Sequence, residues 1–113
     1  MNSETTRQYQ GEANIFKALS HPTRLFILDA IRDQSYSVSQ LAQMAGIDIS
    51  TMSKHLDLLK RYNIVTGVKE RNTVYYKLNV PCLFDFIKCA KKIINCPSDC
   101  KEFSCSDPDP EEL

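Results

Sequence analysis

Apolar residues recur at helical spacing through the first half of the chain. In "GEANIFKALS", Ile15, Phe16 and Leu19 fall on one side of a helix. In "PTRLFILDAIRDQ", Leu25, Leu28 and Ile31 share a side, with Phe26 and Ala30 beside them. Pro22 takes the first position of that helix, where no amide donor is needed, and Ser20 or His21 caps it. "SYS" breaks the pattern. "SVSQLAQMAG" predicts a short third helix, with Ser37 and Gln40 at capping-box spacing and Gly46 as the stop. "IDI" reads as a turn, and Ser50 as the cap of a fourth helix, "TMSKHLDLLKRYN". Two short helices joined by a tight turn with a glycine make a helix-turn-helix.

The period then changes. "IVTGVKE" and "TVYYKLN" are rich in β-branched and aromatic residues, and "RN" between them suits a hairpin turn because Asn tolerates a left-handed backbone. A last helix is predicted over "VPCLFDFIKCAKKIIN", with Asn79 as cap and Pro81 in the first turn. The acid- and proline-rich "SDPDPEEL" reads as disordered. The expected fold is mainly α (α+β): a winged helix-turn-helix with a two-stranded β-hairpin wing. The expected division is 1–95 for DNA binding and dimerisation and 96–113 for a cysteine-containing segment and acidic tail.

The last helix is apolar over a wide arc. Cys82, Cys89 and Cys96 are spaced by seven and share a face with Phe86 and Ile93. Leu83, Ile87, Ala90 and Ile94 form a second stripe about a right angle away. Such a helix must bury against two neighbours, which predicts a dimer. Cys82 and Cys89 then read as core or interface thiols.

Composition narrows the function. Of 113 residues, 42% are hydrophobic and 25% charged, ordinary for a globular domain. No apolar run is long enough for a membrane span. The polar start "MNSETTRQYQGEAN" does not read as a signal peptide, so the expected compartment is the cytoplasm, where thiols stay reduced. There is no C-x-x-C redox pair, glycine-rich phosphate loop or nucleophile constellation, so an enzyme is not expected. The zero net charge hides an asymmetry. Residues 54–77 carry six basic against two acidic side chains, whereas residues 97–113 carry one against six. A basic middle suits a polyanion.

At about 100° per residue, Met52, Leu56 and Leu59 of the fourth helix point one way, and Ser50, Ser53, Lys54, Asp57 and Arg61 the other. A recognition helix enters the major groove by its N-terminal end. Thr51, Ser53 and Lys54 are therefore candidates for base edges and nearby phosphates. Lys69 and Arg71 on the hairpin suit phosphates or the minor groove. The expected partner is double-stranded operator DNA; a winged helix used for protein binding, with structural zinc, is the remoter alternative.

"FKALSHPTRLFILDAI", "VSQLAQMAGIDISTMSKHLDLLKRYNIV" and "VYYKL" resemble the ArsR/SmtB family of winged-helix repressors from about Ile15 to Ile94. The resemblance implies a homodimer through the first and last helices, with the fourth helix as reader and release of the operator by an inducer. His21 and His55 lie inside the matching segments and read as structural. One family metal site uses a C-x-C pair at the third helix; "SVSQL" has no cysteine there. Another uses Asp/His and His/Glu pairs on the last helix; here there is Asp85 but no histidine.

All five cysteines lie after residue 81. Two cysteines seven apart on one helix stand about 10.5 Å apart, too far to share an ion whose thiolate bonds are about 2.3 Å. Cys96, Cys100 and Cys105 differ: C-x3-C-x4-C lies past the helix end, where a bending chain can gather three sulfurs. Three thiolates select a thiophilic ion. Trivalent arsenic, added as arsenite, or antimony is the expected inducer. Zinc, cadmium or lead, with Cys89 or Asp99 as a further ligand, is an alternative. So is thiol oxidation or reaction with sulfide.

Overall fold

In the computed structural model the described residues are 2–95. They form α1 (Ser3–Leu19), α2 (Pro22–Ala30), β1 (Tyr36–Ser37), α3 (Val38–Ala45), α4 (Ile49–Arg61), β2 (Val65–Glu70), β3 (Thr73–Leu78) and α5 (Leu83–Asn95). The chain falls into two units, Met1–Val80 and one that begins at Pro81.

In the first unit Ile27, Leu28, Leu41, Met52, Leu56, Leu59, Ile64 and Val65 are fully buried. They come from α2, α3, α4, the turn residue Ile64 and the start of β2, so these elements contribute their apolar sides to one core. α4 is central: it packs against α1, α2, α3 and β2.

Side-chain caps fix the helix starts. His21 Nδ1 accepts from the Thr23 amide at 3.1 Å and begins α2. The Ser37–Gln40 capping box is complete, at 3.2 Å and 2.9 Å. Gly46 ends α3 with φ at 73°, its amide donating to Ala42 O at 2.9 Å. That left-handed conformation is natural only for glycine or asparagine.

Four local expectations change. α1 starts twelve residues before the first apolar pair suggests, because Asn2 Oδ1 accepts from the Thr5 amide at 2.8 Å and Glu4 favours the positive end of the helix. α4 starts at Ile49 and is capped by Asp48, not Ser50. Asp48 reaches the Thr51 amide at 3.1 Å, satisfying a donor in the first turn. Asn79 does not cap the last helix. Its Nδ2 donates to Asn63 O at 3.0 Å and its Oδ1 accepts from Thr66 Oγ1, stapling the end of β3 to the turn after α4. In the hairpin turn the left-handed residue is Arg71, with φ at 60°, rather than Asn72.

The wing also gains a strand. β2 and β3 pair in the register Val65↔Leu78 to Glu70↔Thr73. The interruption at "SYS" is β1, which pairs with β3 through Tyr36↔Tyr76 and Ser37↔Tyr75, giving the order β1-β3-β2. Two residues are too few to show an alternating pattern in the sequence.

In the second unit α5 begins after Cys82, which is free and exposed. It is therefore neither helical nor a core thiol. Phe86, Ile93 and Ile94 of α5 are exposed in the single chain, Ile94 at 78%. Among the described residues no helix is long and apolar enough to cross a membrane.

Replacing Gly46 with Ala should cost about 1–2 kcal/mol, because a Cβ is disfavoured at positive φ. Nothing lies within 4 Å of where that Cβ would stand, so the loss is backbone strain rather than collision. A lower urea midpoint with unchanged slope would show it; an unchanged midpoint would refute it.

Candidate nucleic-acid interface

The site starts from the two-sidedness of α4. Burial of Met52, Leu56 and Leu59 leaves Ser50, Thr51, Lys54 and Arg61 exposed and Ser53 half-buried. The wing holds Lys69 on β2, and Arg71 sits at its tip; both are exposed. The structure thus leaves each DNA-contact candidate at the surface, on α4 and the hairpin. Among the described residues one ion pair forms, Arg32–Asp33 at 3.2 Å. Among the described residues no carboxylate pairs with Lys54, Arg61, Lys69 or Arg71, which leaves these charges open to phosphate.

The start of α4 is tightly organised. Asp48 accepts from the hydroxyls of both Ser50 and Thr51, the latter at 2.8 Å, and from the Thr51 amide. These donors hold its carboxyl down at about 2, the Ser50 hydroxyl contributing most. Asp48 and Ile49 form the start of α4, where the sequence pattern predicts a turn. The signal for Asp48 was its residue type, since aspartate ranks with serine as a helix cap. Asp57 is exposed on the same side of α4 as the cations, as its spacing predicts. Burial raises the Tyr76 phenol above its ordinary value, and the negative charge of Asp57 raises it further.

His21 caps α2 and meets His55 of α4. Their rings stack, tilted at 47° with centroids 4.5 Å apart, joining the start of α2 to the middle of α4. Burial lowers the His55 pKa, and His21 and Arg24 lower it further. Among the described residues no group of three or more His, Cys, Asp or Glu could hold a metal ion. Cys89 is half-buried. Cys96, Cys100 and Cys105 lie outside the described residues.

A helix-turn-helix with an open cationic reading face and a β-hairpin wing defines the class: a winged helix-turn-helix DNA-binding protein. Comparison with known proteins agrees. Residues 19–68 match the model of a helix-turn-helix domain family. The chain is 33% identical over 82 residues to the transcriptional repressor SdpR of Bacillus subtilis, covering 73% of this chain and 91% of that protein. The crystal structure of NolR from Sinorhizobium fredii superposes with a TM-score of 0.73 at 26% identity, covering 84% of this chain and 94% of that one. The homodimeric DNA-binding domain of Mb0332 from Mycobacterium bovis, a possible ArsR-family regulator, shares the fold. Its TM-score is 0.72 at 24% identity, over 87% of this chain and 94% of that one. The chain belongs to the winged helix-turn-helix family of transcriptional regulators.

Two outcomes follow. Duplex affinity should fall steeply with salt. Lys54→Ala and Lys69→Ala should each reduce the log–log slope by about one, the signature of one lost phosphate contact; unchanged slopes would remove those residues from the interface. Separately, neutral His55 is favoured in the folded chain, so its pKa lies below the unfolded value of about 6.5. Its contribution to stability is full above that pH and is lost as pH falls through the folded value. Urea unfolding at pH 7.5 and 5 should show this decline in the wild type and a smaller one in His55→Gln. Equal declines would place the titration elsewhere.

Proposed function

We propose that this protein is a homodimeric repressor of the ArsR/SmtB type that leaves its operator when a thiophilic inducer, trivalent arsenic or antimony, binds Cys96, Cys100 and Cys105. The observation that carries the DNA-binding half is the division of α4 into a fully buried apolar stripe and an exposed face with the cations Lys54 and Arg61. Dimerisation is supported by the apolar residues that α5 leaves exposed, Phe86, Ile93 and Ile94, and by Tyr9 and Phe16 on α1. A single chain of this size has little reason to show water so many large apolar side chains on two helices.

The inducer rests on chemistry. Three thiolates at C-x3-C-x4-C offer trivalent arsenic the three sulfurs it prefers, without a fourth ligand. A second reading keeps the repressor and changes the signal: oxidation of the cysteines, or their reaction with sulfide, at the same end of the chain.

Anisotropy of a labelled promoter duplex under anaerobic reducing conditions separates the two. Arsenite at about one equivalent per chain should release the wild type. Cys100→Ser should keep operator affinity and lose the release. Release only by mild oxidant or polysulfide would move these cysteines to redox sensing, and normal arsenite release in Cys100→Ser would end the three-thiol assignment.

A further inference from the structure

The tip of α4 carries an apolar side chain that the core does not use. Ile49, the first residue of the helix, is 52% exposed, whereas Met52, Leu56 and Leu59 are 0% exposed. By helical spacing Ile49 shares the side of Met52 and Leu56, yet at the helix tip it projects beyond the core, with Ser53 one turn on. The neighbouring hydroxyls are already committed. Ser50 and Thr51 both donate to Asp48, as does the Thr51 amide. Toward DNA these two hydroxyls therefore present lone pairs only, and a phosphate oxygen, itself an acceptor, finds no proton there. The Asp48 carboxylate repels it further. This end of α4 is unsuited to phosphate, although bare helix ends attract it.

What remains for such a tip is the base edges. The one apolar group in the major groove is the 5-methyl of thymine, and exocyclic amines of adenine or cytosine are the donors that acceptor-only hydroxyls can meet. We propose that Ile49 is a specificity-determining residue that packs on a thymine methyl in each half-site, while Asp48 keeps the same helix tip from settling on the phosphate backbone. The proposal rests on α4 lying in the major groove by its N-terminal end, as the fold implies.

The test begins with sites selected from randomised duplexes by the full-length protein. Each thymine of the selected half-site is then replaced singly by deoxyuridine, which removes only the methyl. At one position the wild type should lose affinity by roughly three- to five-fold, the scale of burying one methyl group. Ile49→Ala should bind thymine and deoxyuridine duplexes equally there, and should respond like the wild type elsewhere. Asp48→Asn, which keeps a good cap, should bind unrelated duplex more tightly, by roughly two- to five-fold, with a steeper salt dependence.

The proposal is overturned if no deoxyuridine position distinguishes wild type from Ile49→Ala. The backbone half is overturned if Asp48→Asn leaves unrelated binding unchanged. If Lys54→Ala and Ile49→Ala both leave selected site and affinity untouched, α4 is not the reader, and the groove placement itself has failed.

Discussion

The burial of one stripe of α4 governs what the molecule can do. Met52, Leu56 and Leu59 lose all contact with water among residues of α2, α3 and β2. Full burial of such side chains contributes about 1.5–3 kcal/mol each, so the helix cannot roll about its axis without a loss comparable to the stability of a small domain. Rotation being fixed, Ser50, Thr51, Lys54 and Arg61 have one orientation. A reading face of short polar residues and cations exists because an apolar face is held.

The wing is tied to that helix by small polar devices. Ser37 is the last residue of β1, paired with Tyr75, and also the cap of α3. One buried serine therefore fixes the sheet against the start of the helix-turn-helix. At the other end Asn79 bridges Asn63 and Thr66, and its amide donates to Ile64 O at 2.9 Å. Lys69 and Arg71 ride on a hairpin anchored on both sides, so their charges are held at a set distance from α4. Arg71 also adopts a positive φ that glycine would take more cheaply. The cation therefore stands at a position where the backbone prefers no side chain.

The periodic and the strongly local were legible in the sequence. The α4 stripe, the capping box at Ser37 and the Gly46 stop depend on residues within one or two turns of each other. What escaped depends on partners far along the chain or on competition between neighbours. β1 is visible only through its pairing with β3, some forty residues later. Asn79 had two uses open to it, and the staple to Asn63 won over a cap on α5. Asp48 and Ser50 are both good caps, and the choice turned on which carboxyl or hydroxyl reached the Thr51 amide while leaving the other a donor. Cys82, assigned by its spacing to the face of the last helix, precedes α5, because helical spacing does not mark where a helix begins.

On the proposed reading, that rigidity also limits how a signal can reach DNA. The tip of α4 is closed by three hydrogen bonds to Asp48 and its body by the core, so an inducer has no loose element within the reading head to act on. The adjustable quantity is the separation of two heads in a dimer, which must match half-sites about one helical turn of DNA apart. A hundred-fold loss of operator affinity requires about 2.8 kcal/mol of difference between inducer-bound states. That is small against the core of either subunit, and it is within reach of repacking a few exposed apolar residues such as Phe86, Ile93 and Ile94. A sensor built beside α5, outside the helix-turn-helix, therefore acts where the structure is cheapest to change and leaves the reading face intact for rebinding.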